Sequence, residues 1–208
     1  MLTKEQLRIL GVFREDVSRR LTFKDIKEKS KQKSNNTVQI ALKQFLDENL
    51  VRTQMTGDVT TYYLNFDNNL TLSYLNLINE LEIYENRKLP KKILEDIQKR
   101  ILKYSEFFVL IVFGSYAENK ATQKSDVDIA IIVECGEAKK DIAPYVETVK
   151  RREIVNIDYH VFTRNEFIEM LLADDENVGK EIYRKNVVFY GLIEYYNMIK
   201  GVKHERIG

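Results

Sequence analysis

The chain has 208 residues, of which 44% are hydrophobic, and a formal net charge of +1; this is typical of one large or two small globular domains and excludes an intrinsically disordered chain. Its single cysteine, Cys135, excludes an internal disulfide and favours a reducing compartment. We find no signal-peptide pattern and no apolar run near the roughly 20 residues that span a membrane, so we expect a cytoplasmic protein without membrane contact.

Apolar residues at helical spacing predict a series of helices in the N-terminal third. The first begins after Thr3 and the second after Thr22, and both threonines are suitable N-caps. Asp25 completes a capping-box-like pattern with Thr22. A third helix is expected from Ser34 or Asn35, with its apolar stripe turned inwards.

Two alternating segments, 50–54 and 60–64, predict strands that flank a hairpin turn at Thr56-Gly57-Asp58. Three helices and a hairpin within residues 1–66 resemble a winged helix-turn-helix domain. This resemblance rests on the pattern of elements and not on a fixed motif.

Basic residues are in excess in this module, with twelve Lys or Arg against eight Asp or Glu in residues 1–66. Clustered bases beside a recognition helix are typical of a DNA-binding domain, and polar groups at the start of that helix suit phosphates and base edges. The predicted DNA-binding residues are Arg19, Arg20, Lys33, Asn35, Asn36 and Gln39. The alternative is a module that docks a protein or a second copy of itself, with solvated lysines.

The segment 67–106 is predicted to be a helical connector. Residues 70–85 carry a broad apolar face, which must be buried against a partner surface. That surface is either the following domain or a second copy of the chain, so a homodimer is one expectation. Pro90 is well placed to open a second helix over residues 91–104.

A buried strand is predicted over residues 109–113, and it runs into Gly114-Ser115. A glycine at this point allows the backbone to approach a ligand closely, because it has no Cβ. Ser115 offers a hydroxyl and an N–H where the helix starting at Tyr116 would begin. Unpaired N–H groups at the start of a helix favour a phosphate.

A second apolar strand, residues 126–133, opens with two carboxylates. Because side chains alternate along a strand, Asp126 and Asp128 point to the same side, with Cα atoms roughly 6.5 Å apart. Such a pair repels unless a cation lies between its members. Mg²⁺ suits this position, since it takes one or two carboxylates together with substrate phosphate oxygens, and two such ions can hold both oxygens of an in-line phosphoryl displacement.

Asp158 is the acid inside a third apolar strand, residues 154–162. Burying a carboxylate is costly unless it is paired or metal-bound, so we expect Asp158 either to ligate the catalytic metal and act as a base or to pair with Arg151 or Arg152. His160 lies two residues further, on the same face, with either a structural role or a substrate contact.

Gly114-Ser115, a gap of about ten residues and Asp126-Val127-Asp128 on a strand resemble the polymerase-β-like nucleotidyltransferase superfamily, and in particular its minimal members. The resemblance covers roughly residues 88–200. It implies transfer of a nucleoside monophosphate from a triphosphate to an acceptor hydroxyl. It implies that Gly114, Ser115 and the flanking Ser125 bind the nucleotide, and that Asp126 and Asp128, joined by Asp158 as third carboxylate, hold the metals.

The sequence departs from the family pattern at Glu118-Asn119, where minimal members have a basic residue and a glycine. Asn119 can adopt the left-handed backbone conformation of a glycine, so we expect the turn to persist. With Glu118 in place of the basic residue, one phosphate or acceptor contact of the family is missing. The identity of the acceptor therefore stays open. Lys120 and Lys124 are candidates to supply the missing charge.

We therefore expect an α+β protein: a winged helix (1–66), a helical connector (67–106) and a small mixed-sheet nucleotidyltransferase domain with C-terminal helices (107–208). The expected reaction is Mg²⁺-dependent transfer of AMP from ATP, or of another nucleotide, onto an unidentified acceptor. Because minimal members include antitoxins that modify a helical partner toxin, a protein acceptor is one candidate. The alternative is a DNA-binding transcriptional regulator whose nucleotidyltransferase domain senses nucleotide without turnover.

Overall fold

A computed structural model describes residues 1–14 and 19–205 of the chain. The chain divides into two compact units, Met1–Leu81 and the part from Glu82 onwards. The boundary falls inside one helix, whereas the sequence-based boundaries at residues 66 and 106 remain predictions. Among the described residues, none of the helices combines the length and the apolar character needed to cross a bilayer.

The first unit consists of short helices and a small antiparallel sheet. Its elements are α1 (Lys4–Gly11), a 3-10 turn (Val12–Arg14), β1 (Leu21–Thr22), α2 (Phe23–Lys29), α3 (Asn35–Asp47), β2 (Val51–Thr56), β3 (Val59–Leu64) and most of α4 (Asn69–Glu85). The strand order is β1-β3-β2. The predicted helices and hairpin are confirmed, β1 was not predicted, and the winged-helix assignment remains a prediction.

Local sequence signals explain where the helices of this unit begin. Thr3 and Thr22 each form a complete capping box, with Gln6 and Asp25 respectively. Each box satisfies backbone N–H groups that have no partner inside the helix. Gly57 takes φ +58°, as a tight two-residue hairpin requires. The sequence therefore specifies these starts and turns without help from distant residues.

The second unit places a mixed sheet between helices. Its elements are the end of α4, α5 (Lys91–Ile101), β4 (Phe108–Phe113), α6 (Gly114–Ala117), β5 (Val127–Val133), α7 (Gly136–Lys150), β6 (Ile157–Thr163), α8 (Arg164–Leu172), α9 (Val178–Arg184), β7 (Asn186–Tyr190) and α10 (Leu192–Glu205). The strand order is β6-β5-β4-β7, with β4 antiparallel to β5 and β7, and β5 parallel to β6.

The two faces of this sheet have different roles. On one face Leu110 and Val112 of β4 and Ile129 of β5 share a buried core with α5 and α7. Side chains alternate along a strand, so Asp128 and Asp158 point to the opposite face. On that face α8 packs through Phe167, whose ring lies 6.4 Å from that of Phe162 on β6. The sheet thus has a predominantly apolar face and a face that carries polar groups where β5 and β6 begin.

Strand β7 corrects the sequence-based expectation for the C-terminal region. The sequence predicted helices for the C-terminal part of 107–208, and the structure has a strand at Asn186–Tyr190, paired with β4. Gly191 ends it with φ +78°, and a Cβ at this residue would lie 2.4 Å from the backbone oxygen of Phe108. Helix α5 also ends earlier than expected, at Ile101 rather than Tyr104.

Candidate active site

The turn at Gly114 brings the end of β4 against the start of β5. Gly114 has φ +62°, and a Cβ built on it would lie 2.3 Å from Oδ2 of Asp128. Glycine is therefore required both by the backbone conformation and by the space. The helix that follows, α6, is a single turn, so a phosphate here would depend on individual backbone N–H groups rather than on a helix dipole.

Adjacent parallel strands place two of the predicted aspartates side by side. Asp128 on β5 is in register with Asp158 on β6, and neighbouring strands lie about 4.8 Å apart. Asp126 directly precedes the first residue of β5. Asp128 is half-buried, whereas Asp126 and Asp158 are exposed, so the burial cost expected for Asp158 does not arise. All three aspartates thus lie at the end of the sheet where β5 and β6 begin.

The predicted pairing of Asp158 with an arginine does not appear among the described contacts. Arg151, directly after α7, instead binds Glu147 of that helix, with Nε 3.2 Å from Oε1. As the side chains stand, residues 1–14 and 19–205 contain no group of three or more His, Cys, Asp or Glu side chains that could hold a metal ion. The assignment of Asp126, Asp128 and Asp158 as metal ligands stays a prediction, tested below by mutation.

Electrostatic repulsion is concentrated on Asp128. Burial raises the pKa of its carboxyl group, the charges of Asp158, Asp126 and Glu181 raise that pKa further, and His160 lowers it. The Asp128 carboxylate is thus repelled by three other carboxylates. Mg²⁺ needs only one or two carboxylates beside waters and phosphate oxygens, so two of these side chains are chemically suited to it, and a cation held by them would remove this repulsion.

His160 lies on the same strand face as Asp158 and is packed between aromatic rings. Its ring stacks on Phe162 at 5.7 Å and lies 6.2 Å from the ring of Phe113. These contacts fix the ring close to Asp128. They are sufficient for a structural role, and a substrate contact by His160 remains untested.

The loop between β4 and β5 has an internal hydrogen-bond network. The Ser125 hydroxyl accepts a hydrogen bond from the Thr122 N–H over 2.9 Å, and the Ser115 carbonyl accepts one from the Lys120 N–H over 2.9 Å. Asn119 takes φ 56°, as predicted for a residue in the place of a glycine. The Ser115 and Ser125 side chains therefore lie in an ordered loop, and their contact with a nucleotide remains a prediction.

A cavity of about 490 Å³ opens beside this loop. It is lined by Gly114, Glu118, Glu176, Asn177, Glu181, Arg184 and Lys185. Apart from Gly114 and Glu118, these residues come from the segment 176–185, which the sequence offered no reason to connect with the aspartates. A cavity of this size is within the range that holds a small-molecule ligand.

Glu118, a carboxylate of the cavity wall, contacts two lysines. Its Oε2 lies 2.5 Å from Nζ of Lys120, and its other oxygen contacts Nζ of Lys185. Hydrogen bonds from Lys120 and then Lys185 lower the pKa of Glu118 to about 2. Glu118 is therefore anionic at neutral pH and forms ion pairs with both lysines. Lys120 was predicted as a source of charge in this loop; Lys185 was not.

The predicted DNA-binding residues belong to the first unit and are distant in sequence from the candidate active site. All of them are exposed, namely Arg19, Arg20, Lys33, Asn35, Asn36 and Gln39. Asn35, Asn36 and Gln39 lie in the first turns of α3. The guanidinium of Arg20 sits over the ring of Tyr63, 5.5 Å from its centroid, so part of its surface is already in contact with the sheet.

Residues 91–187 match the family model described as a nucleotidyltransferase domain. The matched segment extends from the start of α5 into β7 and includes Gly114, Ser115 and the three aspartates. It supports placing this part of the chain in the nucleotidyltransferase superfamily, and with it a transferase that moves a nucleotidyl group and uses a nucleotide substrate. Neither the curated proteins nor the solved structures gave a match to the chain.

Proposed function

We propose that the chain is a Mg²⁺-dependent nucleotidyltransferase that moves AMP from ATP onto a hydroxyl group of a partner protein. The observation that carries this proposal is the register of Asp128 with Asp158. Gly114 lies beside the Asp128 carboxylate and has no Cβ to cover it. Paired carboxylates beside an open backbone loop suit a metal-bound triphosphate. The family match to residues 91–187 supports the same class of reaction.

Each residue has a separate role in this proposal. Asp126, Asp128 and Asp158 would hold Mg²⁺, which when bound would neutralise phosphate charge. Gly114 lets the phosphates approach the backbone, and Ser115 and Ser125 contact the nucleotide. Asp158 is the exposed member of the register pair, so it can receive the proton of the acceptor hydroxyl. The acceptor is proposed as a protein, as for antitoxin-type minimal members, whose partner toxin is helical.

Labelling of a cell lysate tests the reaction. The full chain is incubated with ATP carrying a labelled α-phosphate, Mg²⁺ and lysate, and we expect one protein species to acquire the label. Asp126→Ala and Asp128→Ala should each abolish this labelling. Asp141→Ala, an exposed aspartate of α7, is the matched control and should label as the wild type does. Persistent labelling by both active-site variants would contradict the catalytic assignment.

A second candidate function is DNA-binding regulation, with the nucleotidyltransferase domain sensing nucleotide without turnover. It is favoured by the exposure of Asn35, Asn36 and Gln39 at the start of α3, next to Lys33. Phosphate contacts by Lys or Arg make affinity fall as salt rises. The test is a mobility shift of the chain's own upstream DNA between about 50 and 200 mM salt.

Variants of the first unit distinguish sequence-specific DNA binding from nonspecific electrostatic binding. Arg19→Ala and Lys33→Ala should weaken binding at every salt concentration and flatten its salt dependence, whereas Asn35→Ala should reduce preference for the upstream sequence. Lys92→Ala, in the second unit, is the control. A shift that all of these variants retain would argue against the module as a DNA-binding surface.

A further inference from the structure

Two lysines from distant parts of the sequence converge on Glu118 in the wall of the cavity beside Gly114. Lys120 follows Glu118 by two residues in the loop, and its Nζ lies 2.5 Å from Oε2. Lys185 follows α9 directly, and its Nζ contacts the other carboxylate oxygen. The carboxylate therefore gathers two ammonium groups at one point of the cavity wall.

Both lysines remain accessible to an incoming anion. The side chains of Lys120 and Lys185 are 72% and 64% exposed, whereas that of Glu118 is 21% exposed. An exposed ion pair is weak because water competes for both charges. Lysine also has a flexible four-carbon stem, so its ammonium group can move to another acceptor without a change of the backbone.

The cavity wall also contains Arg184, whose ion pair differs from those of the two lysines. Arg184 makes a bidentate pair with Glu176, with both N–O distances at 2.6 Å. A planar, two-bond pair of this kind holds more firmly than a single ammonium contact. Of the cations described here, Lys120 and Lys185 are thus the ones most easily transferred to a ligand.

We propose that Lys185 and Lys120 bind the phosphate groups of the nucleoside triphosphate, and that Glu118 holds them at the cavity until the phosphates replace its carboxylate. This rests on the proposed function, because it assumes a triphosphate at Gly114. In this exchange the two ammonium groups leave the Glu118 carboxylate and bind the triphosphate, which has the higher negative charge. Glu118 is then a positioning residue whose own charge opposes the ligand.

This exchange gives two substitutions opposite effects on affinity. Glu118→Gln removes the competing charge and should lower the Kd for triphosphate about two- to fivefold, the range of one exposed ion pair. Lys185→Gln removes a ligand of the phosphates and should raise that Kd about three- to tenfold. If the Glu118–Lys185 pair only held the loop to α9, both substitutions would weaken binding.

Calorimetric titration of the full chain provides the test, with Mg-ATP, inorganic tripolyphosphate and AMP as probes. The opposite effects should appear with Mg-ATP and tripolyphosphate, be much smaller with AMP, which has fewer charges, and shrink in about 0.5 M salt. Lys120→Gln should resemble Lys185→Gln. Lys140→Gln, an exposed lysine of α7, should leave every Kd unchanged. Thermal melts verify that each variant is folded.

Glu176→Gln is the matched control for the carboxylate, because Glu176 lines the same cavity but holds Arg184 instead of Lys185. It should tighten triphosphate binding less than Glu118→Gln does. Equal tightening would overturn the assignment to Glu118, and so would weaker binding by Glu118→Gln or an unchanged Kd in Lys185→Gln.

The outcomes separate this inference from the proposed function. Wild-type binding and labelling without the opposite effects would reject only the lysine exchange. Opposite effects on Kd without any transfer of label would reject only the transferase. Failure of the wild-type chain to bind either Mg-ATP or tripolyphosphate would reject both.

Discussion

The side-chain amide of Asn86 donates a hydrogen bond to the backbone carbonyl of Tyr116 over 3.0 Å, and Asn86 is buried. Two residues later, Nζ of Lys88 donates to the carbonyl of Ala121 over 3.0 Å. The segment that follows α4 therefore holds the loop of Gly114 and Ser115 at two points. Because a loop lacks the repeated hydrogen bonds of a helix or sheet, these contacts fix its position.

Replacement of Asn86 should disturb the site without touching a ligand. Asn86→Ala removes this donor, while the Tyr116 carbonyl still accepts from the Asn119 N–H, so the free energy of unfolding should fall by about 0.5–1.5 kcal/mol. The loosened loop should also raise the KM for ATP more than it lowers kcat. Denaturant unfolding and steady-state labelling measure the two effects. Asn197→Ala, at an exposed asparagine of α10, should change neither, and an unaffected KM in Asn86→Ala would show that the loop does not depend on this bond.

Gly114→Ala should abolish activity. The added Cβ would lie 2.3 Å from Oδ2 of Asp128, and the residue has φ +62°, a conformation that costs alanine roughly 1 kcal/mol or more. The carboxylate must move, or the loop must change shape, so both metal binding and phosphate approach should suffer. We expect labelling to fall below about 1% of wild type, or at least 2.7 kcal/mol in transition-state stabilisation.

Gly136→Ala is the matched glycine control. A Cβ at Gly136, the first residue of α7, meets no atom within 4 Å. Alanine there should stabilise the protein by about 0.4–1 kcal/mol, because it restricts the unfolded chain. Thermal melts and the labelling assay compare the two variants. Equal activity of Gly114→Ala and Gly136→Ala would contradict the proposed role of the turn.

The strands and turns of the candidate site were predictable because local residue patterns determine them. β4 is a continuous apolar run, β5 is rich in β-branched residues, and Gly114 directly follows β4 at the turn. The cavity wall was not predictable in the same way. Lys185 comes next to Glu118 only because β7 pairs with β4, and strand pairing across more than 70 residues leaves no short-range signal. The same reason explains why β7 itself was missed.

Stability should decrease at acid pH through Glu166. Lys139 and then the Thr163 N–H donate hydrogen bonds that lower the pKa of the Glu166 carboxyl. A carboxyl whose pKa is lower in the folded state stabilises the protein fully above its unfolded pKa and loses this effect as the pH falls through the folded value. Thermal melts between about pH 7 and pH 3 should therefore show a decrease, with its onset near the ordinary glutamate pKa of about 4.3.

Glu166→Gln should remove part of that pH dependence. Glutamine can still accept from the Thr163 N–H, but it carries no charge for Lys139 and does not titrate. The melting temperature of this variant should be lower than that of wild type at pH 7 and closer to it at pH 3. Glu169→Gln, at an exposed glutamate of the same helix, should retain the wild-type profile. Parallel profiles for wild type and Glu166→Gln would contradict the assignment.

Magnesium should stabilise the wild-type chain against heat, and this effect should depend on Asp128. Burial and three neighbouring carboxylates oppose its charge, so a cation bound there removes repulsion that the folded chain otherwise bears. A ligand at one hundred times its Kd adds about 2.7 kcal/mol to the free energy of unfolding. Asp128→Asn removes one ligand charge and should reduce the magnesium-induced rise in melting temperature by more than half.

The same variant should be at least as stable as wild type without magnesium, because the asparagine side chain is uncharged and of similar size. Calcium serves as a second ion and potassium as the monovalent control. A rise in melting temperature with magnesium that Asp128→Asn retains would locate the ion elsewhere. A wild-type chain that magnesium does not stabilise in the presence or absence of ATP would remove the metal from the proposed mechanism, since ligands that bind the folded state alone must stabilise it.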